Sequence, residues 1–184
     1  MNNKAKSEKK TKLIDEALDW AKDLVVHLIV AVLICTFVCR PVIVNGDSMT
    51  NTLHDKDFLV MWSLLYQPKN GDIIAANCEG LNEVIIKRII ASEGQTVDID
   101  FSTGKVFVDG IELDEPYIRN LTIDDEGAFD YPIVVPKGKY FAMGDNRQGS
   151  TDSRHPFVRF IDREDILGKA VFRVFHFDDI GTLK

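Results

Sequence analysis

Ser48 and Lys87 are the residues whose types and surroundings best fit nucleophilic catalysis in this sequence. Ser48 lies in the glycine-containing segment VNGDSMTNTL at 44–53, and Lys87 lies in the apolar segment VIIKRII at 84–90. Burial penalises a charged ammonium, so a desolvated lysine loses its proton more readily than an exposed one. Its neutral amine can then take the proton of a serine hydroxyl. The pair predicts a serine nucleophile with a lysine general base.

Both residues also have an ordinary structural interpretation. A serine that follows Gly and Asp is more often a turn residue than a nucleophile. Strand alternation places Lys87 on one face and Arg88 on the other, where two half-exposed faces would let both cations reach solvent. A serine–histidine pair that uses His54 or His155 is an alternative for the base.

The segment GDNRQGSTDSR at 144–154 is a third concentration of polar groups. Gly, Asp, Asn and Ser favour turns, so a solvated loop is the plain interpretation. The alternative is a supporting role for a catalytic pair. The Ser150 hydroxyl would orient the lysine amine, and Asp152 and Arg154 are close enough in sequence to pair and brace the loop.

The composition argues against several classes of site. The 184 residues carry a net charge of −7, whereas phosphate binding needs clustered Lys and Arg, so we predict no nucleic-acid partner. Cys78 is the only cysteine outside the apolar segment that holds Cys35 and Cys39, so no disulfide is predicted within the domain. The histidines are scattered, and we predict no metal.

The first 41 residues suggest a membrane anchor. Residues 1–19 are predicted to form a solvated basic tail, and residues 20–41 a transmembrane helix built on the apolar run LVVHLIVAVLICTFVC at 24–39. A buried core helix and the apolar region of a cleaved secretory signal are the alternatives. The lysine excess before the span predicts a cytoplasmic N-terminus and places residues 42–184 outside the membrane.

Residues 42–184 are predicted to form a mainly β domain. Short runs rich in β-branched and aromatic residues alternate with turn residues, and Asp109-Gly110 between KVFV and IEL is a strong hairpin signal. We therefore expect an antiparallel β-sheet or barrel-like catalytic domain that follows one N-terminal transmembrane helix.

Taken together, GDSMTNTL, DFLV, KRIIASEGQTV and GDNRQGSTDSR resemble the motifs of bacterial type I signal peptidases, in the same order. Members of that family are membrane-bound serine–lysine proteases that remove signal peptides from exported preproteins, without a cofactor. The resemblance implies that Ser48 attacks the scissile carbonyl, Lys87 is the general base and Ser150 positions the lysine amine. It implies a plasma-membrane location, with preproteins and the lipid bilayer as partners, and leaves the oligomeric state open.

The resemblance also assigns supporting and substrate-binding residues. The Ser48 amide would hold the oxyanion with help from the position of Gly46. Cleavage after small-x-small sequences implies shallow pockets, beside which the substrate adds as a β-strand. The structural and activity-supporting residues are Asp145, Arg147, Asp152 and Arg154, and the candidates to line the pockets are Val44, Asn45, Met49, Leu53, Ile85 and Ile86.

Two positions depart from the family pattern. Asn51 stands where proline is usual, and HPFVRF after Arg154 lacks a common glycine. Asn51 is expected to hold the turn through its own side chain. Two other functions are weighed against the peptidase: a self-cleaving repressor, for which no DNA-binding helices are visible, and a membrane-tethered binding module that kept the fold.

Overall fold

The computed structural model describes residues 2–173 and 181–182. The chain divides into two compact units, residues 1–38 and residues 39–184. The run KAVFRVFHF at 169–177 has the composition of a strand, and its end, including His176, lies outside the described residues.

The first unit contains the helix α1, Asn2–Phe37. This helix begins inside the segment predicted to be a solvated tail, because Lys, Ala and Glu are good helix formers despite their polarity. It ends before the predicted limit at residue 41, since the residue that precedes Pro41 is disfavoured in a helix. Among the described residues, no helix has the length and apolar character needed to cross a membrane.

The second unit is built from short strands and one 3₁₀ turn. The strands are β1 Cys39–Ile43, β2 Phe58–Trp62, β3 Ile73–Cys78, β4 Glu83–Ser92, β5 Thr96–Asp100, β6 Lys105–Val108, β7 Ile111–Glu112, β8 Ile133–Val134, β9 Lys139–Met143, β10 Ile161–Asp162, β11 Ile166–Arg173 and β12 Gly181–Thr182. The 3₁₀ turn, Arg163–Asp165, joins β10 to β11.

The strands form two antiparallel sheets. The larger sheet has the order β1-β2-β11-β3-β4-β9-β10, with β12 paired to β11, and the smaller has the order β7-β6-β5-β8. The prediction of a mainly antiparallel β domain is confirmed. The predicted hairpin is confirmed as well: Val108 pairs with Ile111, and Asp109 and Gly110 have φ of 53° and 77°, as a two-residue primed turn requires.

Three apolar clusters make up the core. One of them joins Val44, Met49 and Leu53, from the segment around Ser48, to Ile86 on β4 and to residues of β2, β3 and β11. Apolar burial of this kind drives folding and leaves little freedom for the backbone it anchors. The segment that carries Ser48 is therefore fixed to the sheet that carries Lys87.

Candidate active site

Ser48 and Lys87 meet although 39 residues separate them in the chain. Ser48 lies in the turn segment between β1 and β2, and Lys87 lies in the middle of β4. Lys87 Nζ donates a hydrogen bond to Ser48 Oγ at 2.9 Å. That distance is within the range at which a base can take a proton from a nucleophile.

The surroundings of Lys87 favour the neutral form of its amine. Lys87 is 4% exposed, and this burial lowers the pKa of its amine from the usual 10.5. The negative charges of Asp152, Glu83 and Glu126 act in the opposite direction and raise it, whereas Arg154 lowers it further. Burial dominates, so the neutral amine is available at lower pH than in an exposed lysine.

The turn that carries Ser48 is held by the polar loop at 144–154. The Asn146 backbone N–H donates to the Ser48 carbonyl oxygen at 3.0 Å, and Asn146 Nδ2 donates to the Asp47 carbonyl oxygen at 3.1 Å. Asn51, expected to hold the turn by itself, instead donates from Nδ2 to the Ile118 carbonyl oxygen at 3.4 Å. Contacts with distant segments therefore fix the turn that carries Ser48.

Ser150 lies in this loop with a buried hydroxyl. Its Oγ has no hydrogen-bond partner among the residues that the structure describes. The surroundings are tight, because a Cβ added at Gly144 would lie 2.2 Å from Ser150 Oγ and 2.5 Å from the Ser48 carbonyl oxygen. A buried hydroxyl without a partner is costly, which is typical of a group kept for function.

Arg88, next to Lys87 on β4, is the partner of Asp145. Arg88 Nε and Nη2 donate to the two Asp145 carboxylate oxygens at 2.9 and 2.7 Å, and both side chains are buried. Thr52 Oγ1 also donates to Asp145, which ties the segment after Ser48 to the same pair. A bidentate pair of this kind fixes orientation as well as charge.

Arg147 and Arg154 are both fully buried. Arg154 donates to the two carboxylate oxygens of Asp152 at 2.9 and 2.8 Å, and the Gly144 N–H donates to Asp152 at 2.9 Å. Burial by itself would raise the pKa of Asp152, but the hydrogen bonds and charge of Arg154 hold it below its ordinary value. Arg147 pairs with Glu115 and bonds to the Thr122 hydroxyl.

Gly46 adopts φ +85°, a conformation that favours glycine, and its N–H donates to Asp55 Oδ1 at 2.8 Å. This amide is therefore already engaged. The Ser48 N–H has no acceptor within the described part of the chain and is free to bind an oxyanion.

A cleft of about 390 Å³ opens beside Ser48 and Lys87. Of the predicted pocket residues, Val44, Asn45, Met49, Ile85 and Ile86 line it, together with Gly46. Leu53 does not line the cleft, since it is completely buried in the core. The remaining lining residues are Val42, Ile43, Asp47, Glu83, Val84, Gly149 and Thr151.

The histidines are not placed as alternative bases. His155 Nδ1 accepts a hydrogen bond from the Phe157 N–H at 3.2 Å. Within residues 2–173, neither the His155 ring nor the His54 ring hydrogen-bonds to Ser48. The same described residues contain no cluster of His, Cys, Asp or Glu arranged to hold a metal ion.

Four residues that the sequence did not single out also belong to this arrangement: Arg88, Asn146, Thr52 and Glu115. Asn146 and Thr52 lie inside segments that resemble family motifs, so their positions in the sequence could have identified them as part of the site. For Arg88, strand alternation leaves open the plain interpretation of a cation that reaches solvent from a half-exposed face. Glu115 lies outside the four recognised segments, and nothing in its local sequence identifies it as the partner of Arg147.

The chain is similar to known proteins over most of its length. The model of the family "Signal peptidase, peptidase S26" matches residues 17–175. Signal peptidase I from Bacillus amyloliquefaciens is 36% identical over 97% of this chain and its own full length, and that from Bacillus licheniformis is 34% identical over 94% and 96%. A signal peptidase I structure from Enterococcus faecalis V583 aligns with a TM-score of 0.47 at 28% identity, covering 58% of this chain and 98% of that one.

Proposed function

Because the chain belongs to the signal peptidase family, peptidase S26, and is a type I signal peptidase, a serine endopeptidase, we propose that it cleaves preproteins with a Ser48–Lys87 dyad. The observation that carries this mechanism is the 2.9 Å hydrogen bond between the buried Lys87 amine and the Ser48 hydroxyl. Burial supplies the neutral base that the chemistry needs.

The reaction proceeds in two stages. The neutral Lys87 amine takes the Ser48 hydroxyl proton as Oγ attacks the scissile carbonyl carbon. The resulting ammonium gives this proton to the leaving amine as the C–N bond breaks, which leaves an acyl-enzyme ester on Ser48. Lys87 then takes a proton from water, whose oxygen attacks the ester, and returns it to Ser48 Oγ.

The oxyanion of each tetrahedral intermediate is held by the Ser48 N–H. The Gly46 N–H is committed to Asp55, so a water molecule is the second donor that fits this arrangement. A backbone amide that is already oriented costs no reorganisation when charge develops on the carbonyl oxygen.

Ser150 positions the Lys87 amine in this proposal. Its hydroxyl is buried in the loop whose Asn146 holds the Ser48 turn, and it has no partner elsewhere in the described residues. A hydroxyl can accept a hydrogen bond from a lysine amine, and such a bond would satisfy both groups. Asp145, Arg147, Asp152 and Arg154 act by fixing the loop.

The substrate is proposed to enter the cleft as an extended strand and to be cut after a small-x-small sequence. Val44, Ile85 and Ile86 line this cleft with side chains that are themselves buried, which favours small apolar substrate side chains beside them. Asn45 and Met49 line the same cleft. Leu53 supports the cleft residues Val44, Met49 and Ile86 by packing in the same core cluster.

The function is tested with a preprotein that carries a small-x-small cleavage sequence, incubated with the purified full chain in detergent. We expect one cut after the second small residue, identified by mass spectrometry of both products. Replacing either small residue with Phe should reduce kcat/KM at least about 100-fold, because a shallow pocket rejects added bulk by several kcal/mol. Equal cleavage of the Phe substrates would contradict the proposed pockets.

The cleavage rate is expected to rise with pH. The base is the neutral form of Lys87, so kcat/KM should increase through the lowered pKa of that amine and reach a plateau below pH 10.5. Burial, followed by the charge of Asp152, raises the pKa of Glu126 to about 7, so Glu126→Gln is the matched control. The inflection should persist in this variant and move to lower pH, because the variant lacks a charge that raises the pKa of Lys87. An inflection near 6.5 that disappears in His155→Ala would replace lysine with histidine as the base.

The Ser150→Ala variant tests the positioning role. Loss of the hydroxyl should lower kcat about 10- to 100-fold and shift the pH inflection, with little change in KM. Ser153→Ala is the control, since the Ser153 hydroxyl is buried in the same loop but accepts from the Ala142 N–H. An unchanged kcat and pH profile in Ser150→Ala would remove Ser150 from the mechanism.

We also propose that α1 anchors the chain in the plasma membrane, with the N-terminus cytoplasmic and the second unit outside. Large apolar side chains from Leu24 to Ile34 are exposed along this helix, and apolar surface of that extent favours a lipid environment. Protease added outside intact cells should digest the second unit. Protection of that unit, with digestion only after lysis, would contradict this orientation.

A further inference from the structure

Two strand edges border the cleft beside the dyad. Within the described residues, β1 is the last strand of the larger sheet and pairs only with β2. Along β4, β3 pairs with Glu83–Arg88, whereas β9 joins the opposite edge only from Arg88 onward. Residues 83–87 therefore have one edge that no described strand pairs, and they line the same cleft as residues 42–44.

The two edges run in the same direction. Four antiparallel pairings separate β1 from β4, so the two strands are parallel, and both run toward the dyad from N- to C-terminus. The apolar walls next to Ser48 are the proposed pockets for the small residues before the scissile bond. The residues that precede the bond must therefore extend back along β1 and β4.

Glu83 lies on this path at a definable distance. It precedes Lys87 by four residues on β4, which corresponds to about 13 Å, and it shares the Lys87 face of the strand. Its side chain is exposed, lines the cleft, and forms no hydrogen bond or ion pair with any residue the structure describes. Among the described residues that line the cleft, Asp47 is the other carboxylate and Lys87 is the only cation.

We propose that Glu83 makes the cleft selective for lysine or arginine at about the fifth residue before the scissile bond. This inference rests on the proposed function, since it assumes cleavage after a strand bound between β1 and β4. If the residue just before the scissile bond lies level with Lys87 and the substrate strand has the same rise per residue as β4, the fifth residue before the bond lies level with Glu83. That residue projects to the same side as the first and third residues, because side chains alternate along a strand.

The charge of Glu83 also reaches the catalytic amine, because it raises the pKa of Lys87 against the effect of burial. A Glu83 variant will therefore change the overall rate as well as any selectivity. Comparing substrates within each variant removes that common factor, so the ratio of kcat/KM values reports on the substrate position alone.

The test uses three peptides with one small-x-small site and Lys, Gln or Glu at the fifth residue before the bond. For the unaltered chain at low salt, kcat/KM should fall in the order Lys, Gln, Glu, by about 1.5- to 5-fold per step, as for an exposed charge pair. Glu83→Gln should remove this order and Glu83→Lys should reverse it. Half-molar salt should weaken the preference.

Glu164→Lys is the control, since it makes the same change in net charge at an exposed position outside the cleft and should keep the order. Peptides with Lys at the fourth and sixth residues define the register. No preference at any of the three positions, or the same preference in Glu83→Gln, overturns the inference. Failure of the unaltered chain to cut the Gln peptide would instead count against the proposed function.

Discussion

Replacing Ser48 with Ala, or Lys87 with Met, is expected to abolish cleavage of a preprotein substrate. Each change removes one half of a unit that transfers a single proton, so kcat should fall at least about 10⁴-fold in either variant. The double variant should be no slower than the single ones, because the two groups act together. Lys87→Arg should be equally inactive, since a guanidinium cannot lose its proton in a protein.

These variants must remain folded for the result to be informative. Ser48→Ala leaves Lys87 buried without its hydroxyl partner, whereas Lys87→Met replaces a desolvated amine with an apolar side chain of similar length. The melting temperature of Lys87→Met should therefore equal or exceed that of the unaltered chain. A folded Lys87→Met variant with full activity would exclude the dyad.

The Asp152→Ala variant is expected to lose both stability and activity. It leaves the Arg154 guanidinium fully buried without its bidentate carboxylate, which costs about 3–5 kcal/mol. For a domain of this size, the melting temperature should fall by about 10 °C or more. Cleavage should fall as well, because Asp152 also holds the Gly144 amide beside Ser150.

Glu112→Ala is the matched control, because Glu112 pairs with Lys105 in a half-exposed ion pair. Such pairs contribute about 0–1 kcal/mol, so its melting temperature should change by no more than a few degrees. Asp152→Ala combined with Arg154→Met should recover part of the loss, since it removes the buried guanidinium that has lost its bidentate partner. A single Asp152→Ala variant as stable as Glu112→Ala would show that solvent reaches Arg154.

Lys87 could be singled out from the sequence because a cation within a run of Val and Ile is costly to bury unless it is paired or loses its proton. Its neighbour Arg88 was not, since strand alternation predicts one cation on each of two half-exposed faces. In the structure both side chains are buried, and Asp145, 57 residues away, compensates Arg88. A partner at that separation is set by sheet topology, which local patterns do not encode.

The limits of the first unit illustrate a different difficulty. A lysine-rich composition predicts a solvated tail over residues 1–19, but α1 begins at Asn2. Solvated lysines are compatible with a helix, so charge alone does not decide the backbone conformation. The Asp109-Gly110 hairpin was predictable because its turn type depends on two adjacent residues.

The edges of β1 and β4 that no described strand pairs also expose the substrate-free protein to self-association. Open amides and carbonyls on a strand edge can template pairing with any extended chain, including another copy of the same edge. Charged side chains oppose such pairing, and proline lacks the amide hydrogen that strand pairing needs. Arg40 and Pro41 lie on β1, and Glu83 lies on β4. The strands proposed to bind the substrate thus carry their own protection against aggregation, toward the ends that precede Ser48 and Lys87.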